Sequence, residues 1–167
     1  KLPCVNGFAG TYPCDGYDLL LHIPLDTFGA SDGNDSWGWT DPSTGKEYAL
    51  MGVNNGTVFV DISDTENPIY LGKLPTQTTS SLWRDVKVYQ NYAFIVSEAA
   101  NHGLQVFDLT QLRDTNNTPK TYSADQTFRE FGNAHNLFIN EDSGFAYIIG
   151  SNLFGGGPAF IDIQNPL

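Results

Sequence analysis

The stretch Gly56-Thr-Val-Phe-Val-Asp61 decides the fold, because the chain carries it three times. Gly103-Leu-Gln-Val-Phe-Asp108 and Gly157-Pro-Ala-Phe-Ile-Asp162 keep the same five-residue interval from glycine to aspartate, and an apolar residue (Ile62, Leu109, Ile163) follows each aspartate. Upstream of each glycine an aromatic–alanine pair opens an apolar run: Tyr48-Ala49, Tyr92-Ala93 and Phe145-Ala146. Further upstream stands another short strand candidate, Trp37 to Thr40, Trp83 to Tyr89 and Ala134 to Asn140. Turn-rich sequence separates these two strands in every unit, at Asp41 to Gly45, Gln90-Asn91 and Asn140 to Gly144. The aspartates recur at intervals of 47 and 54 residues.

A period of roughly 40–50 residues carrying three or four short strands is the mark of β-propeller blades, not of helical solenoids. Helical repeats need apolar residues at three- and four-residue spacing over a dozen positions, whereas the runs here are short and rich in Val, Ile, Phe and Tyr. The expectation is an all-β chain of about three propeller-type units. Ile69 to Leu74, after Asn67-Pro68, supplies an outer strand, and Leu109 to Arg113 has room for one helical turn. A lead-in covers residues 1–35, and the units span about 36–79, 80–131 and 132–167. The third reaches Asn165-Pro166, the counterpart of Asn67-Pro68, and so lacks its outer strand. Asp61, Asp108 and Asp162 read as architecture, each starting an Asx turn at a strand end. Gly56, Gly103 and Gly157 are expected to supply positive φ in the hairpins.

Composition sets the outer limits. The 167 residues carry 8 Lys plus Arg against 19 Asp plus Glu, a formal charge of −11, with 40% hydrophobic and 16% charged residues. A disordered acidic segment would be poor in aromatics and rich in charge, so the chain is expected to be globular. Phosphate binding needs clustered cations, and so does docking on anionic lipid; neither partner suits this charge. No run approaches the ~20 apolar residues of a membrane helix.

Cys4 and Cys14 lie in a loop rich in Gly, Pro and Asn and read as a short-loop disulfide; a metal site is the rival, short of ligands without a nearby His. Sequons at Asn34, Asn55 and Asn116 agree with an oxidising exterior and with glycosylation. A secreted chain beginning at Lys1 would have had its leader removed. A secreted or cell-surface location follows as an expectation.

Four segments together resemble the choice-of-anchor B family: Ala9–Cys14 (AGTYPC), Val58–Thr76 (VFVDISDTENPIYLGKLPT), Ala93–Arg113 (AFIVSEAANHGLQVFDLTQLR) and Ala134–Gly150 (AHNLFINEDSGFAYIIG). The resemblance covers nearly the whole chain. It implies LVIVD-type repeats, a β-propeller fold and an extracellular domain that other members join to varied carboxy-terminal anchors. Members usually run to well over twice this length, so about three units point to a piece of something larger or to a subunit completed by neighbours.

Reactive constellations are scarce. The chain has no HExxH, no His-x-His, no Cys/His cluster, no Gly-x-Ser-x-Gly elbow and no phosphate-cradling loop. If the first strand of each unit is innermost, Arg84, Asp85, His135 and Asn136 face a central channel, where they bind a cation or small ligand, or else satisfy backbone groups between neighbouring units. Ser31 to Ser36, with Asp32 and Asp35, offers the hard oxygens that suit Ca²⁺ but lacks EF-hand spacing. Asp85 and Glu98 are a conceivable acid–base pair. His102 is expected in an exposed turn, His22 in packing, and Trp37, Trp39 and Trp83 in the core between units. The favoured function is a non-catalytic extracellular module for adhesion, scaffolding or protein assembly, with protein partners or self-association. The alternative is a metal-dependent hydrolase or lyase on extracellular polysaccharide, using His135, Asp85, Arg84 and Glu98.

Overall fold

The computed structural model describes residues 1–167 and is all-β, its only helical pieces being three short 3-10 turns at Leu25–Phe28, Leu109–Arg113 and Phe154–Gly156. No helix is long and apolar enough to cross a membrane. The lead-in holds a small antiparallel hairpin of β1 (Phe8–Ala9) and β2 (Tyr12–Pro13), and the Cys4–Cys14 disulfide is formed across its base.

The first sheet is an antiparallel meander of β3 (Gly33–Thr40), β4 (Glu47–Val53), β5 (Gly56–Asp61) and β6 (Ile69–Pro75). The second begins the same way with β7 (Arg84–Tyr89), β8 (Tyr92–Ser97) and β9 (Leu104–Asp108). The chain then leaves this sheet. β10 (Lys120–Thr121) pairs in parallel with β6 on the outer edge of the first sheet, and only β11 (Gln126–Phe128) returns to flank β9. Residues 120–121 therefore lie outside the second sheet, although the interval 80–131 was expected to form one unit; the longer of the two aspartate periods contains this excursion. Gly72 permits it, since a Cβ there would run into the Lys120 backbone. The third sheet is β12 (Asn136–Asn140), β13 (Phe145–Ile149) and β14 (Ala159–Asp162), with nothing on the outer side of β14.

The three sheets stack face to face, and strand alternation assigns the layers. On β8, Ala93 and Ile95 enter the apolar cluster shared with Trp39, Tyr48, Leu50 and Phe59 of the first sheet. Their neighbours Phe94 and Val96 enter the cluster shared with Leu137, Ala146 and Ile148 of the third. Tyr122, just beyond β10, seals the first interface by meeting Phe59 and Phe107 edge-on, at ring separations of 5.7 and 5.1 Å. The lead-in covers the far face of the first sheet. Phe28 is buried with Val53, Val58 and Val60. Lys73 Nζ donates to Phe28 O at 2.7 Å and to Asn55 Oδ1 at 3.0 Å, holding the lead-in there.

The repeated aspartates each start an Asx turn. Asp61, Asp108 and Asp162 accept from the N–H two residues on, of Ser63, Thr110 and Gln164, at 3.0, 2.9 and 3.0 Å. The expected positive φ holds at two of the repeated glycines and fails at the third: Gly56 has φ +159° and Gly103 +71°, but Gly157 has φ −66°. What Gly56 and Gly103 also share is space: a Cβ at either would strike a carbonyl of the outer strand region, Leu74 O or Phe128 O. Two tryptophans also depart from expectation. Trp39 is buried, but Trp37 and Trp83 are 42% and 46% exposed. They stand on or beside first strands, which have no further strand on that side.

Candidate functional site

The first strands β3, β7 and β12 are the free edges of their sheets and run beside one another. Between them opens a cleft of about 600 Å³ lined by Asn34, Asp35, Trp83, Arg84, Asp85, Lys87, His135, Asn136, Leu137, Phe138 and Ile149. Asp35 Oδ2 accepts the Val86 N–H at 3.0 Å, reaching from the first sheet to the second. Asp85 Oδ2 accepts the Leu137 N–H at 2.7 Å, reaching from the second to the third. Each carboxylate thus satisfies a backbone donor on the next first strand. Lys87 Nζ bridges them, bonding Asp35 at 3.1 Å and pairing with Asp85, and sits 4.8 Å over the Trp37 ring. Burial and a shared hydrogen bond with Asp35 push the Asp85 carboxyl up. Burial acts in the same sense on Asp35, but bonds from Asp85, the Val86 N–H and Lys87 outweigh it and bring Asp35 below the usual range.

Of the remaining candidates, His135 and Asn136 line the same cleft and Asp32 does not. His135 is hydrogen-bonded to Glu98 at the surface, its ring 6.1 Å from Trp83. Asn136 Nδ2 donates to Asp85 Oδ2 at 3.3 Å. Asp32 bonds Ser31 Oγ at 2.6 Å instead of joining Asp35. No three His, Cys, Asp or Glu side chains form a group that could hold a metal ion. Of the sequons, Asn55 is half-buried with both ends of its amide engaged, Nδ2 donating to Gly29 O at 2.7 Å and Oδ1 accepting from Lys73. Asn34 Oδ1 accepts the Arg84 N–H at 3.2 Å. Asn116 lies on an exposed loop, where its Nδ2 donates to Asp114 at 2.8 Å.

Arg84 and His102 form a buried pair that replaces the exposed turn histidine expected above. Arg84 Nε donates to Val53 O at 3.2 Å, one terminal nitrogen to Thr76 Oγ1 at 2.8 Å and the other to His102 Nε2 at 2.9 Å. His102 Nδ1 donates to Gly103 O at 3.0 Å, which fixes a neutral imidazole with its proton on Nδ1. Burial pushes His102 down to about 4 and Arg84 down to about 10. Alternation along Arg84-Asp-Val-Lys-Val88 held a trace of this, since it sets Arg84 on the same inward face as Val86. An inward guanidinium needs acceptors, but nothing named His102 as one.

The other distinctive surface is an apolar sheet face that the candidate residues above did not include. On the third sheet Phe138, Tyr147 and Phe160 form a row across β12, β13 and β14 in register. Phe138 and Tyr147 stack at 6.0 Å, and Phe160 meets Tyr147 edge-on at 5.2 Å. Phe138 is 58%, Phe160 65% and Ile149 45% exposed. The fourth residue of the Gly–Asp motif carried the signal. Phe59 and Val106 hold that position in the first two copies and pack against the following sheet; Phe160 holds it in the third. Compared with protein-family models, curated proteins and solved structures, the chain matches none.

Proposed function

We propose that the chain is a non-catalytic, β-propeller-type repeat module of a secreted or cell-surface protein, and that its work is protein assembly. One observation carries this reading: the Phe138–Tyr147–Phe160 face is uncovered, while the counterparts of Tyr147 and Phe160, namely Leu50 and Phe59 on the first sheet and Phe94 and Val106 on the second, are buried against a neighbour. A contiguous apolar face of this kind marks an interaction surface. The disulfide, the acidic charge and the resemblance to choice-of-anchor B proteins support the extracellular setting. The cleft supports a structural role for its acids, because Asp35 and Asp85 spend their oxygens on backbone donors and Lys87.

Fluorescent apolar-dye binding and light scattering test the proposal on the full chain. The native chain is expected to bind dye or associate with rising concentration, and Phe138→Ser with Phe160→Ser to abolish both without loss of folding. A native chain that binds no dye and stays monomeric at high concentration would falsify it.

A further inference from the structure

We infer that this chain binds a neutral sugar at a second cavity, set at the opposite end of the first strands from the cleft described above. Trp37 and Trp39 share one face of β3, as residues two apart on a strand do. Beside them lies a cavity of about 620 Å³, within the ~300–1,000 Å³ of small-ligand sites. All three sheets contribute to it. The first supplies the two indoles, the second Gln90 and Asn91 from the turn between β7 and β8, and the third Glu141 from the turn after β12. Trp37 lines this cavity and not the first cleft, whereas Lys87 lines the first cleft and not this cavity. The Trp37 indole thus divides the two, with the Lys87 ammonium 4.8 Å from its centre on one side.

The polar groups of the two cavities are used differently. In the first cleft Asp35, Asp85, Lys87 and Asn136 bond one another or the backbone. In the second, the side chains of Gln90, Asn91 and Glu141 make no hydrogen bond or ion pair within the chain, although Asn91 O accepts the Leu109 N–H at 2.8 Å and so fixes the turn. Trp39 is 4% exposed and its indole N–H meets no acceptor, an uncommon condition for a buried donor. The lining therefore offers an aromatic face, two amides that both donate and accept, a carboxylate that accepts, and an orphan N–H. A pyranose ring is complementary to that set. Its C–H face suits the negative face of an indole, and its rim of hydroxyls both donates and accepts. A sugar hydroxyl, acting through a bridging water where the indole edge is covered, supplies the acceptor that Trp39 lacks. Uronic acids and sulfated sugars do not fit, because Glu141 and a chain charge of −11 repel anions. A wholly apolar ligand would strip water from the amides and leave them unpaired.

The test is an NMR titration of the full chain that reads the indole N–H signals of its 3 tryptophans. Cellohexaose and chitohexaose are the neutral probes and a heparin hexasaccharide is the anionic one. A neutral probe is expected to shift the Trp37 and Trp39 signals saturably and to leave that of Trp83, which lines the first cleft, in place. Trp37→Ala should weaken binding about tenfold, the scale of one lost aromatic contact. Glu141→Ala and Asn91→Ala, both on turns, should weaken it about threefold each. Those two variants decide the matter where a thermal melt shows that Trp37→Ala has not folded. The inference is overturned by no shift with either neutral probe at millimolar concentration, by tighter binding of the heparin fragment, or by a response centred on Trp83. Unchanged binding in the folded variants overturns it equally. The cavity shares no residue with the Phe138–Tyr147–Phe160 face, so none of these results bears on the assembly reading.

Discussion

The first and third sheets are written in nearly the same pattern and meet opposite fates. Phe59 and Phe160 hold the same place in their Gly–Asp motifs, yet one is fully buried and the other 65% exposed. Tyr48 and Phe145 open the same aromatic–alanine run, and only Tyr48 is buried. The first sheet has the lead-in on one side and the second sheet on the other; the third has a neighbour on one side alone. The repeat therefore specifies which side chains face each way, and the neighbours determine whether a face becomes core or surface.

Truncation at the matched phenylalanines should separate the sheets most widely. Phe59→Ala is expected to destabilise by about 3–5 kcal/mol, the range for a large buried aromatic. Phe160→Ala should cost within about 0.5 kcal/mol, as for an ordinary surface site. Urea unfolding measures both, and equal losses would break the comparison.

Acid should act on the first interface through His102. Its imidazole is neutral in the fold, lowered from 6.5 to about 4 by burial, so the unfolded chain binds the extra proton first. The stabilisation is whole above pH 6.5 and is lost as pH falls toward 4, by roughly 3 kcal/mol at most. Ring NMR shifts for His102 should show no protonation until about pH 4; titration near 6.5 would remove this account.

The turns give a smaller contrast. Asp41 receives Arg113 Nε and Nη2 at 2.8 Å each, together with the Ser43 N–H and the Ser43 and Thr44 hydroxyls. These bonds, Arg113 foremost, hold its carboxyl far below the usual carboxylate range. Asn140, in the matching turn of the third sheet, receives only the Ser143 N–H, at 3.2 Å. Asp41→Ala should cost about 2–3 kcal/mol, near the lower end for breaking a buried pair, and Asn140→Ala about 0.5–1 kcal/mol. Thermal melts of the two variants order them.

The smallest expected effect is Gly157→Ala, neutral to within about 0.5 kcal/mol. Its counterpart Gly103→Ala must force a Cβ toward Phe128 O at positive φ, and should lose about 1–3 kcal/mol. Equal responses would remove the distinction drawn between a paired and an unpaired outer edge.

The strands were legible because period-two alternation and the Gly–Asp interval are local. Every first, second and third strand lies within a few residues of its expected place, and the outer strand at Ile69 follows its Asn-Pro as read. The excursion to β10 was not legible. It depends on a two-residue parallel pairing, room at Gly72, and an Arg113–Asp41 contact between residues 72 positions apart. The candidate site was legible in part. Asp85, His135 and Asn136 do come to one cleft with Asp35, but Asp32 does not: it stands exposed just before β3, with its carboxylate on the Ser31 hydroxyl. His102 was misplaced because the exposure of a turn residue depends on what folds over it. The apolar face was missed because alternation identifies two faces and leaves open which of them finds a neighbour.

The lead-in lid on the first sheet gives the stack a direction. Phe28 closes the outer face of the first sheet, while Phe138 and Phe160 leave the outer face of the third open, so these two faces are not interchangeable surfaces for a head-to-tail contact.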